Sequence, residues 1–65
     1  MITYNVIENA HDILMGVYSY STEEKALECV KMLLKKYKIN HLEPSNHIKT
    51  AVVEFTVVAT LVDAH

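Results

Sequence analysis

Residues 50–62 alternate along most of their length. Ala51, Val53, Phe55, Val57, Ala59 and Leu61 are all apolar, whereas Val52, Glu54, Thr56, Val58, Thr60 and Val62 make a mixed face. Period two with one fully apolar side predicts a half-buried strand whose odd positions face the core. Two further β-type runs lie near the start of the chain. Residues 2–7 are branched and aromatic, residues 8–12 are polar and turn-like, and residues 13–20 are again β-rich. This pattern predicts a hairpin with a loop of about four or five residues. Gly16 inside the second run predicts a bulge or a close approach by another part of the chain.

Between these strands the period changes. Ala26, Leu27, Val30, Leu33, Leu34 and Tyr37 recur at three- and four-residue spacing, so they form one apolar stripe on a helix. Ser21 fits the N-cap, with Glu24 three residues on completing a capping box, and Glu23 and Glu24 suit the positive end of the helix dipole. Lys35, Lys36 and Lys38 suit the last turn, and Asn40 suits a stop. Residues 39–49, with Pro44 and Ser45-Asn46, read as a connector.

The predicted fold class is therefore α+β, in the order β-β-α-β, as one domain over residues 1–65. Three antiparallel strands in the order 2-1-3 carry one helix on one face. Phe55 and Leu33 are expected face to face between the two layers. A strand over 50–62 would run roughly 43 Å against roughly 20 Å for a strand over 2–7, at about 3.3 Å per residue. The surplus half would be an exposed apolar edge, blunted only by Glu54 and Asp63, and such edges are normally paired or covered. A homodimer follows, with Val52, Val58, Thr60 and Val62 as the self-association residues.

Composition sharpens this picture. A 65-residue chain buries only about 60% of its unfolded surface, and domains this small commonly lean on a disulfide, a metal or a partner subunit. Cys29 is the one cysteine, so no intrachain bridge is available and a reducing compartment is expected. No apolar run is long enough for a membrane helix, and no charged segment precedes an apolar core at the N-terminus. Neither a membrane span nor a signal peptide is predicted, and the expected location is the cytoplasm. The net charge is −2 and every basic residue is lysine, which argues against nucleic acid as a partner.

Candidate chemistry is sparse. His11, His41, His47 and His65 lack the spacing of paired metal ligands, and Cys29 has no second cysteine near it, so no metal and no cofactor are expected. Cys29 lies beside the apolar stripe and reads as an inert, buried thiol. Capping accounts for Ser21, and adjacent Glu23 and Glu24 diverge on a helix, so no catalytic residue is assigned. Lys31, Lys35 and Lys38 share a helical face, with Lys36 and Lys49 near, and could follow phosphates. Tyr18 and Tyr20 share one side of their strand. If that side faces away from the helix, they form an adhesive, partly polar surface.

The run Leu14-Met15-Gly16-Val17-Tyr18-Ser19, followed by Ser21-Thr22-Glu23-Glu24-Lys25-Ala26, resembles a segment of small uncharacterised bacteriophage and bacterial proteins. In them a "GV-aromatic-S" strand leads into a "STEEKA" helix start. The resemblance covers residues 13–38, and Tyr20 is an extra residue between strand and cap. It implies a phage-type accessory protein acting in the host cytoplasm by binding and modulating or inhibiting a host protein. The functional expectation is a non-enzymatic protein-binding module. The alternative is a small nucleic-acid- or nucleotide-binding protein using Lys31, Lys35 and Lys38.

Overall fold

The structure is a computed structural model that describes residues 1–62. It contains β1 (Ile2–Ala10), β2 (Ile13–Tyr20), α1 (Glu23–Lys36), β3 (His47–Lys49) and β4 (Val53–Leu61). The strands form one antiparallel sheet in the order β2-β1-β4-β3. The three expected strands are neighbours as predicted. The fourth, β3, lies within the expected connector and is only three residues long, too short for its own sequence to show a period.

Three boundaries differ from expectation, each for a local reason. The first hairpin turns on two residues, His11 and Asp12, both with positive φ (52° and 62°). That is the pairing a two-residue primed turn requires, reached here without the usual Asn-Gly. Residues Glu8, Asn9 and Ala10 therefore extend β1 to nine residues. At the other end, the Thr50 N–H donates to the Val53 carbonyl (2.8 Å), and its hydroxyl accepts from the Val52 and Val53 amides (3.2 and 3.0 Å). This turn starts β4 at Val53, so β4 also has nine residues. The two pair along their whole length, from Ile2 with Leu61 to Ala10 with Val53. The length mismatch that suggested a dimer is absent.

The third correction concerns the helix start. Thr22, not Ser21, is the N-cap: its backbone is extended and its hydroxyl accepts from the Lys25 amide at 3.2 Å. Tyr20 is held in β2 opposite Tyr4, which leaves Ser21 to make the bend. At the far end the Ile39 N–H reaches the Leu34 carbonyl (2.8 Å) and the Lys38 N–H reaches that of Lys35 (3.0 Å). Lys38 has φ 60°, completing a Schellman-type stop in which a lysine holds the position that usually favours glycine.

Helix and sheet enclose one core. Ala26, Val30, Leu33 and Leu34 of α1 meet Val6, Ala10, Ile48, Val53 and Phe55 of the sheet. Phe55 and Leu33 share this core as expected, and the odd side of β4 is its inner side. The Tyr37 ring lies 5.7 Å from that of Phe55, centroid to centroid. Among the described residues, the opposite side of the sheet carries no second layer. A ladder from Ser19 through Asn5 to Thr60 crosses three strands there, with hydrogen bonds of 2.7 and 3.0 Å.

Candidate functional site

Among the described residues, the buried side of the sheet contains one carboxylate, Glu8, with no solvent exposure. Its position follows from the alternation of Tyr4, Val6, Glu8 and Ala10 along β1. The Tyr18 hydroxyl donates to Oε1 at 2.8 Å, the Lys36 ammonium donates to Oε2 at 3.0 Å, and the Tyr37 hydroxyl donates to Oε2 as well. Burial acts to raise the carboxyl pKa, but the hydrogen bonds from Tyr37, Tyr18 and Lys36 outweigh it and hold the group below its ordinary range. Reciprocally, the bond to Glu8 raises the pKa values of Tyr18, Tyr37 and Lys36. The Lys36 ammonium also sits 5.3 Å from the centre of the Tyr37 ring. A carboxylate sealed from water and held by three donors is a structural tie between β1, β2 and the end of α1. In this state the lone pair left on Oε1 is closed off from solvent by burial.

Gly16 makes the tie possible. It lies opposite Glu8 in β2, and a Cβ placed there would come within 2.8 Å of the Tyr18 hydroxyl oxygen. The expected close approach is thus by the Tyr18 ring. The expected bulge is beside it, where Glu8 pairs with Gly16 and Asn9 with Leu14, leaving Met15 unopposed.

The outer end of β4 is a different kind of place. Main-chain bonds of Val62 to Met1 and of His11 to Val52 show that even positions of β4 face β1. Odd positions therefore face the other way. Val57 meets the Asn46 carbonyl (2.8 Å), and β3 and its flanks end there. Beyond it, the main-chain groups of Ala59 and Leu61 point outward with no strand beside them among the described residues. The helix does not reach this end either. A fourteen-residue helix is about 21 Å long, whereas nine-residue strands are about 30 Å. The helix begins just after Tyr20, level with Tyr4, and its C-terminal side chains reach Glu8. Ile2 and Leu61 therefore project past it. Met1 is 80% exposed and Leu61 75%, and Ile2, Val58 and Val62 are exposed as well.

The predicted self-association residues fall into two places. Val58, Thr60 and Val62 lie at this free end, whereas Val52 is in the turn at the opposite end of β4. Tyr18 and Tyr20 lie on the helix side, packed against the core, so they do not form the outward surface considered for them. The Cys29 thiol is half-buried against the same core, and beside it the Tyr20 hydroxyl has a raised pKa. His47 lies 2.7 Å from Glu54, whose carboxyl is held below its ordinary range by that contact. Among the described residues, no three His, Cys, Asp or Glu side chains gather as a metal site would need. Asp63 and His65 lie outside the described residues.

Lys31, Lys35 and Lys38 do converge. With Leu34, Ile39, Leu42, Pro44 and Glu43 they border a groove of about 570 Å³ between the end of α1 and the segment that follows it. None of the three makes an ion pair among the described residues. Among the described residues, no helix is long and apolar enough to cross a membrane. Sequence reading missed Glu8 because a glutamate in a turn-like run reads as solvated. The signal was its even spacing with Tyr4, Val6 and Ala10. Comparison of the chain with family models, curated proteins and solved structures finds no match.

Proposed function

We propose that this chain is a non-enzymatic protein-binding module that pairs with a second copy of itself through the free half of β4. The observation that carries the reading is the stretch 58–61. Among the described residues it has a strand on one side only, it lacks charge and proline, and it is followed by exposed Val62. Edges of this kind are templates for strand addition. The opposite edge of the sheet, β2, is interrupted by its bulge at Met15, a recognised protection against such pairing. Two identical edges related by a two-fold axis are self-complementary, and each would cover the other's projecting Leu61. Beyond the second copy, the phage-type resemblance over residues 13–38 points to a host protein as partner.

Sedimentation equilibrium tests the pairing. The expected mass rises with concentration from 7.4 kDa toward twice that value. Ala59→Pro should hold the chain at the monomer mass, because the Ala59 amide faces outward and takes no part in the bonds to β1. A proline at Val58 would instead remove a donor to β1 and damage the fold. A parent chain that stays at 7.4 kDa up to high micromolar concentration refutes the pairing. A second reading, nucleic-acid or nucleotide binding, is supported by the convergence of Lys31, Lys35 and Lys38 on one groove. Oligonucleotide binding that weakens steeply with salt would favour it.

A further inference from the structure

We infer that the groove between the end of α1 and residues 39–44 receives an acidic amphipathic helix of a partner protein. The inference rests on the reading of the chain as a protein-binding module and adds the chemistry of the partner. The groove has two kinds of surface. Its floor is apolar: buried Leu34, half-buried Ile39, and Leu42 and Pro44 from the segment that wraps back past the helix. Its helix-side rim is cationic, with Lys31, Lys35 and Lys38 spaced four and three residues apart. Lys31 and Lys35 are about 6 Å apart along the helix axis, and Lys38, past the helix stop, lines the same groove. None has a carboxylate partner among the described residues.

This combination selects among occupants. A single-chain amphiphile with one anionic head would engage one lysine and leave the other two unmatched. A single-stranded nucleic acid would match the row of charges, but none of the lining residues is aromatic or arginine, so its bases would find no stacking surface. An amphipathic helix meets both demands. Apolar residues at every third or fourth position fill the floor, and a flanking row of Glu or Asp at the same spacing meets the three ammonium groups. Glu43 on the opposite wall sets the direction, since it repels an acidic flank turned toward residues 39–44. The net charge of −2 means that attraction is local to this rim and not a property of the whole surface.

The stop at Lys38 supports the groove's shape. The Schellman-type bonds of Lys38 and Ile39 turn the chain sharply, and this turn places Ile39 beside Leu34 on the floor. The helix end and the segment that follows it thus build the groove before any partner arrives.

The test uses the full chain and synthetic helical peptides with leucine at every third or fourth position. One peptide has a glutamate flank, a second has lysines in place of the glutamates, and a third is a scramble of the first. Binding is measured by fluorescence anisotropy and mapped by amide chemical shifts, with a single-stranded oligonucleotide as a separate probe. The glutamate peptide should bind and shift amides of residues 31–44, and the scramble and the lysine peptide should not. The double variant Lys31→Glu/Lys35→Glu should weaken the glutamate peptide by roughly tenfold or more and gain affinity for the lysine peptide. Equal binding of glutamate peptide and scramble, shifts confined to the free end of β4, or preference for the oligonucleotide each overturns the inference. Repeating the titration on Ala59→Pro separates it from edge pairing. If self-association holds and no peptide binds, the groove falls alone.

Discussion

The two halves of β4 carry the same kind of sequence and live in different surroundings. From Val53 to Val57 the strand has neighbours on both sides, and Val53 and Phe55 are buried beneath the helix end and Tyr37. From Val58 to Leu61 it has one neighbour among the described residues, and even the inner positions Ala59 and Leu61 are exposed. The apolar alternation continues through both halves unchanged. What differs is how far the helix and the short β3 reach. A period of two reports which side of a strand could be buried, whereas the length of the covering layer decides how much of that side is.

The sharpest way to break this comparison is to truncate equivalent inner residues in each half. Phe55→Ala should cost about 3–5 kcal/mol and unfold much of a population this small in core, as read by urea denaturation. Leu61→Ala, measured at a concentration where the chain is monomeric, should cost less than about 0.5 kcal/mol. Similar losses at both positions would mean that the free half is covered after all.

A smaller effect separates the halves by pH. The Glu8 tie belongs to the covered half, and its folded pKa lies below the ordinary carboxyl value of 4.5. Its contribution is therefore complete above that value and is lost as pH falls through the depressed folded value. Tyr18, Tyr37 and Lys36 have folded pKa values raised by Glu8, so their contribution is complete below the ordinary values, near 10, and is lost as pH climbs through the raised ones. Glu8→Gln should lower stability at neutral pH and flatten both limbs of a stability–pH profile. A constant offset from the parent between pH 3 and pH 11 would contradict this account.

The least of the three effects tests where the cover begins. Thr22→Ala should cost about 1 kcal/mol through loss of the cap, and Ser21→Ala should cost little. Thermal midpoints of the two variants decide between them, and the reverse order would move the helix start one residue toward the free end.

These comparisons also explain what could be read from the residues alone. The helix stripe and the inner side of β4 were legible because burial there follows a single period. The extension of β1 was not, because it runs through Glu8. That glutamate is tolerated in the core only through Tyr18, ten residues on, and Lys36 and Tyr37, twenty-eight and twenty-nine residues on. The His11-Asp12 turn adopts positive φ without glycine or asparagine, so its composition suggested a longer loop. Ser21 and Thr22 are both good caps, and only the pairing of Tyr20 with Tyr4 chooses between them. The lysine face was legible as a row of charges. Its apolar floor was not, because Leu42 and Pro44 reach it only by the turn at Lys38.

Gly16 also constrains the paths by which this sequence can change. While Tyr18 keeps its hydroxyl on Glu8, any side chain at position 16 meets that ring. Replacing the glycine first displaces the tyrosine and strips a donor from a buried carboxylate. Replacing Tyr18 by a smaller residue first, together with an apolar residue for Glu8, opens the site, and a β-branched residue at position 16 then becomes favourable for the strand. The same three substitutions are thus harmful in one order and acceptable in another. Divergent descendants of this chain should keep Gly16, Tyr18 and Glu8 together or lose them together.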